Sequence, residues 1–262
     1  MNRPMLTVAA ACLALAGAAR AEVRTKTVEY RQGDTPLQGF LAWDDSAKGK
    51  RPGVLVIHEW WGENEHARNQ AVRLAKAGYV GFALDMYGKG KVATHPTDAQ
   101  AFMQEATKDP AVVRARFDAA LAVLKAQPQV DASKIGVVGY CFGGGVALQI
   151  AREGADIDAV ATFHGALAPH GERAQKGRVK PRILVATGGA DPMVPPEQVR
   201  AFEQEMKGAG AKFKVVTYPD AKHSFTNPDA GKAGMEGLAY NAQADRESWT
   251  AAMKMFREVF KS

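Results

Sequence analysis

From Gly53 onward the chain repeats one texture: a short, wholly apolar run followed by a segment of helical periodicity. "GVLVI" precedes such a segment at 65–77, and "YVGFAL" follows it. The alternation returns as "IGVVGY" with 142–153, "AVATF", "RILVAT" with 196–207, and "FKVVTY" ahead of a C-terminal amphipathic stretch. A strand that is apolar at every position must be buried on both faces, and helices between such strands form the crossovers of a parallel sheet. Two longer segments, "VRTKTVEYRQ" and "PLQGFLAW", flank the turn signal "GDTP" and predict an antiparallel hairpin at one edge. The expected fold class is therefore α/β, a mostly parallel central sheet with helices on both faces and an N-terminal antiparallel hairpin.

Several helices have readable ends. Asp109 caps a helix whose first residue is Pro110, and Val113, Phe117, Leu121 and Leu124 recur along one of its faces. Pro196 opens another, with Val199, Phe202 and Met206 inward. Trp249, Met253, Phe256 and Phe260 mark the last. Segments 86–108 and 165–181 mix glycine, proline and charge, and read as loops or short helices over the sheet.

Residues 1–21 carry an early arginine, an apolar stretch and small residues at Ala19 and Ala21, the pattern of a secretory signal cleaved near Ala21. The expectation is a periplasmic or secreted protein with one domain over 22–262. Cleavage removes Arg3 and Arg20 and no acid, so the net charge falls from +6 to +4. Scattered charge of that size offers no polybasic block for nucleic acid. No segment of the mature chain is apolar for the roughly 20 residues a membrane-spanning helix needs. Cys12 leaves with the signal, so Cys141 remains as a solitary thiol without an internal disulfide partner.

In open α/β sheets the chemistry lies beyond the carboxyl ends of the strands. Four such ends carry reactive groups: His58 and Glu59, Cys141, Asp191, and His223. The segment "GYCFG" places Cys141 in a Gly-x-nucleophile-x-Gly turn between strand and helix, and the start of that helix favours a thiolate. The order nucleophile, acid, histidine along the chain suits Asp191 to orient His223, and His223 to take the proton of Cys141. Each residue has a plainer reading: a buried small apolar group for Cys141, a turn residue for Asp191, a structural imidazole for His223. Their agreement in spacing, placement and order favours the catalytic one.

His164 follows "AVATF" and either lines the site or is structural. His66, His95 and His170 lack paired ligand spacing, so no metal is expected. The glycines after Cys141 lack the Gly-Lys-Ser/Thr of a phosphate loop, which argues against nucleotide binding.

With "HEWWG", "DMYG", "GYCFGGG", "GGADPMVP" and "KHSF" in this order, the chain resembles the dienelactone hydrolase family of α/β-hydrolases over essentially its whole mature length. The resemblance implies a Cys141, Asp191 and His223 triad. It further implies that Glu59 acts as an activating switch on the thiol, against the alternative of a structural carboxylate that holds its loop. Backbone N–H groups of Trp60 and Phe142 correspond to the oxyanion hole, and Trp61 with Trp60 either walls an acyl pocket or only packs. Two arginines that hold the substrate carboxylate in the family are replaced here by Lys89 and Asn227, which puts dienelactone itself in doubt. The reading is a monomeric, cofactor-free hydrolase of a small-molecule ester or lactone. The alternative is a non-catalytic periplasmic binding protein for a small carboxylate or carbohydrate.

Overall fold

The computed structural model describes residues 22–261, so the expected signal at 1–21 lies outside the described residues. In chain order the elements are β1 (Val23–Gln32), β2 (Thr35–Asp44), β3 (Arg51–Ile57), α1 (Glu65–Lys76), β4 (Val80–Leu84), α2 (Pro96–Thr107), α3 (Pro110–Lys125) and β5 (Val130–Tyr140). They continue as α4 (Phe142–Arg152), β6 (Ala159–Phe163), β7 (Arg182–Gly188), α5 (Pro196–Gly208), β8 (Phe213–Tyr218) and α6 (Ala242–Phe260).

All eight strands join one sheet in the order β1-β2-β4-β3-β5-β6-β7-β8. The hairpin β1-β2 pairs antiparallel and meets β4 antiparallel, while β3 to β8 run parallel. Period-two alternation splits the core between the faces. In β3, Leu55 and Ile57 join one buried cluster with Phe117 and Val146, and Val54 and Val56 join the other with Leu74 and Phe256. That is why the central runs of the inner strands, such as Val54–Ile57 and Ile135–Tyr140, are apolar.

Helix ends follow the sequence signals. The Asp109 carboxylate accepts from the Ala111 amide at 2.8 Å, with Pro110 at the first position. Its predicted inward face, Val113, Phe117, Leu121 and Leu124, is buried. The segment 86–108 includes the three-turn α2, capped by the His95 ring, whose Nδ1 accepts from the Thr97 amide. Between β6 and β7 the chain forms no regular helix or strand over 165–181. No helix among the described residues is long and apolar enough to cross a membrane.

Candidate active site

The turn from β5 into α4 is tight enough to dictate its residues. Cys141 sits at φ 51°, ψ −116°, and its amide donates to the Phe163 carbonyl at 3.0 Å. Gly143 donates to the His58 carbonyl at 3.1 Å, seating the turn on the chain leaving β3. A Cβ on Gly139 would collide with the Gly143 carbonyl, and one on Gly143 with the carbonyls of Ile57 and His58. Only glycine permits that closeness, and the result is a thiol held above the sheet at the start of a helix.

His223 follows β8, and its Nδ1 lies 2.8 Å from Asp191 Oδ2. The other Asp191 oxygen accepts from the Met193 amide at 2.8 Å, which fixes the carboxylate in its turn after β7. Nε2 of His223 is buried without an oxygen or nitrogen partner. What it meets is Cys141. Burial disfavours the imidazolium, yet the Cys141 thiolate and the Asp191 hydrogen bond outweigh it and raise His223 to about 10. The three side chains can thus share one proton between sulfur and imidazole while Asp191 holds the ring.

His164 is fully buried beneath His223, with ring centroids 5.3 Å apart in an edge arrangement, and its Nε2 is 2.8 Å from the Thr226 hydroxyl. Burial above all, then the neighbouring His223 and His66, push it well below the usual imidazole range. It stands behind His223 and is not among the residues that line the cavity.

The buried Glu59 accepts two bonds, from the Ser224 hydroxyl and from Asn227 Nδ2, each at 2.7 Å. Asn227 is therefore committed to Glu59 and is not free to face a substrate. Lys89 lies at the surface, 2.7 Å from Glu29 across the β1 edge, away from the cavity beside Cys141. Neither replacement for the family's arginines offers a cation to that cavity. Sequence position alone could not reveal this, since both side chains are captured by residues remote along the chain.

Trp60 borders the cavity. Its carbonyl accepts from the Tyr87 hydroxyl at 3.1 Å, and its ring packs at 5.0 Å against Trp61, which lies behind it. His58 braces the same loop, its Nδ1 bonded to the Glu59 carbonyl and its Nε2 accepting from the Met86 amide at 3.2 Å. The amides of Trp60 and Phe142 donate no hydrogen bond among the described residues.

The cavity beside Cys141 has a volume of about 260 Å³ and is walled by Trp60, Met103, Phe142, Met193, Val194 and Leu238, with Cys141 and His223 at its base. Single apolar residues on loops, such as Met193 and Leu238, give no periodic signal, so the sequence did not mark them. A larger concavity of about 520 Å³ opens at the amino ends of β3 and β4 among Asp44, Asp45, Lys50 and Arg51. It lies at the opposite end of the strands from the thiol, the wrong end for chemistry in such a sheet. Among the described residues no group of His, Cys, Asp and Glu side chains converges as metal ligands would.

Residues 37–260 match the model of the dienelactone hydrolase family. A dienelactone hydrolase-like promiscuous phosphotriesterase from metagenomic libraries superposes with a TM-score of 0.86 at 40% identity, covering 90% of this chain and 98% of its own. Among curated relatives, a protein of Methylorubrum extorquens named "Putative carboxymethylenebutenolidase" is 28% identical over 80% of this chain and 73% of its own. Protein usf of Aquifex pyrophilus is 29% identical over 88% and 97%.

Proposed function

Because the chain belongs to the dienelactone hydrolase family, we propose that it hydrolyses a carboxylic ester or lactone through an acyl-enzyme on Cys141. The observation that carries this reading is the buried Nε2 of His223, free of oxygen and nitrogen partners, facing the thiol while Nδ1 is held by Asp191. Asp191 holds the Nδ1 side of the ring, which leaves Nε2 as the nitrogen that can exchange a proton with sulfur.

The Cys141 thiolate attacks the carbonyl carbon, and the developing oxyanion is received by the free N–H groups of Trp60 and Phe142. Collapse breaks the acyl C–O bond, and the leaving alkoxide takes the proton from the His223 imidazolium. Formation of the thioester discharges the sulfur and removes the anion that held His223 high. The ring is then a competent base for the incoming water. Water attacks the thioester, the second tetrahedral intermediate expels the thiolate, and His223 keeps the proton beside it.

Glu59 takes the role of a positioning group, since both its oxygens are engaged by the loop that carries His223. With Lys89 and Asn227 both turned elsewhere, a substrate carboxylate finds no cation at these positions, and the reading favours esters or lactones other than dienelactone. The same reading takes the protein as a monomer with a single domain over 22–262. The signal-like pattern at 1–21 supports export.

The test is intact-mass measurement of the protein against a panel of esters and lactones. An acyl adduct that appears in the wild type and is missing from Cys141→Ala supports the reading. Binding without an adduct, or full turnover by Cys141→Ala, would turn it toward the binding-protein alternative.

A further inference from the structure

The cavity beside Cys141 does not end at its walls. Met103, Phe142 and His170 also border a second cavity of about 210 Å³, and so stand between the two. This outer lobe lies between α3 and α4, walled by Pro110, Val113 and Val146. Phe142, Val146, Gln149 and Glu153 follow one another on a single face of α4 and its cap. The stripe leads from the elbow outward for roughly 16 Å at the rise of an α-helix, apolar for its first half and polar at its far end.

We propose that the two lobes form one acyl cleft, which selects neutral esters whose acyl group is an extended apolar chain, threaded from Cys141 through a waist at Met103, Phe142 and His170 into the outer lobe. The proposal rests on the hydrolase reading above and adds the substrate class. Neither lobe is lined by lysine or arginine. Gln149 at the far end is fully engaged: its Oε1 accepts from the His170 amide, and its Nε2 donates to Glu153 Oε1 and the Glu172 carbonyl. Glu153 is the charged side chain lining that end, and its pairing with Arg114 at 3.4 Å leaves no cation there to draw an anionic tail. The pKa of His170 is lowered, by desolvation first and by Arg152 second, which disfavours positive charge at the waist. Its ring rests over Gly145, where a Cβ would come within 2.9 Å of Nε2, so the helix is pared down to let the waist form.

Each methylene moved from water into such a lobe can improve kcat/KM by up to about fourfold. The experiment compares p-nitrophenyl acetate, butyrate, hexanoate and octanoate with the mono-p-nitrophenyl ester of suberic acid, which ends the eight-carbon chain in a carboxylate. The expected result is a rise of at least about tenfold in kcat/KM from acetate to the longer chains, with the suberate at least about tenfold below octanoate. In Val113→Phe and Val146→Phe, which fill the outer lobe from two different helices, the octanoate-to-acetate ratio should collapse toward one. Should either variant fail to fold, competitive inhibition of wild-type acetate turnover by 1-octanol reads the same lobe. Acetate turnover with a flat chain-length profile, a preference for the suberate, or no inhibition by 1-octanol overturns the acyl cleft and leaves the hydrolase reading standing. Absence of turnover and of any acyl adduct across the whole series overturns both.

Discussion

Glu59 and Ser224 share a 2.7 Å hydrogen bond that joins the residue before Trp60 to the residue after His223. The second Glu59 oxygen takes Asn227 of the same loop, so one buried carboxylate sets the distance between the proposed oxyanion donor and the proposed base. Ser224 adopts φ 54°, a conformation that costs energy in a residue with a Cβ. Cys141 and His164 are the other non-glycine residues with positive φ among those described. All three lie around His223, so the backbone strain is concentrated where the geometry is most constrained.

Ser224→Ala should therefore lower kcat about tenfold while moving KM little, because it loosens the reacting geometry and leaves the cavity walls intact. A hydrogen bond to a charged group contributes about 1.5–3 kcal/mol, and each 1.4 kcal/mol is a factor of ten in rate. Glu59→Ala strands two buried donors and should also cost about 2–4 kcal/mol of stability. Steady-state kinetics and urea denaturation separate the two effects. An unchanged kcat in Ser224→Ala would leave the bond without a positioning role.

The charge on Cys141 is the largest influence that raises His223, acting against burial. Replacing the thiol by a hydroxyl that is neutral near pH 7 removes that anion. The imidazole of Cys141→Ser should then titrate well below the wild-type value of about 10, as read from ring nitrogen chemical shifts. The sign carries over to stability. A raised folded-state pKa contributes stability that is complete below the ordinary imidazole value of about 6.5 and is lost as pH rises through about 10. In Cys141→Ser that loss should move to lower pH. Identical titration in both proteins would mean that the sulfur carries no charge beside the ring.

Two glycines that look equivalent in the sequence should respond in opposite ways. A Cβ on Gly143 meets the backbone carbonyls of Ile57 and His58, and backbone cannot step aside as a side chain can. Gly143→Ala should cost about 3 kcal/mol or more, at the upper end of overpacking penalties, together with activity. Gly208, the last residue of α5, has open space where its Cβ would stand. Gly208→Ala should be neutral or stabilising by up to about 1 kcal/mol. Denaturant midpoints decide both cases.

The contrast between Glu59 and Lys89 shows what the sequence could and could not convey. The parallel strands were legible because burial on both faces keeps the central runs of the inner strands free of charge. Cys141, Asp191 and His223 were legible for the same reason, since the first polar groups after such runs stand at one edge of the sheet. Sheet order was not, because an apolar run does not say which neighbour it pairs with. Nor were the partners of Lys89, Asn227 and Glu59. A long or amide side chain is captured by whatever the fold brings near, and Asn227 is taken by a carboxylate 168 residues earlier. The substrate preference implied by those two positions could be judged only once their captors were visible.

The loop over 165–181 has no regular structure, yet it supplies Ala166 and His170 to the cavity walls. It is fastened from below by one buried ion pair. Arg152, fully buried at the end of α4, binds Glu205 of α5 through Nε and Nη2 at 2.9 Å each, and Nη2 also donates to the Leu167 carbonyl at 2.8 Å. Glu205 in turn accepts from the Ala174 amide at 2.8 Å. Two charges thus hold two points of the loop, and removing either leaves the other buried and unpaired. Arg152→Ala should cost about 3–5 kcal/mol, the range for breaking a buried pair from one side. The double replacement Arg152→Met with Glu205→Leu should recover much of that loss, because no uncompensated charge remains. The loop itself should behave differently. With the Leu167 carbonyl contact gone in both variants, and the Ala174 amide contact gone as well in the double one, cleavage within 165–181 under limited proteolysis should quicken, and KM for long-chain esters should rise more than KM for acetate. Recovery of stability in the double variant without recovery of loop protection is the expected pattern, and wild-type protection of the loop in both variants would show that the pair stabilises the fold without holding the loop.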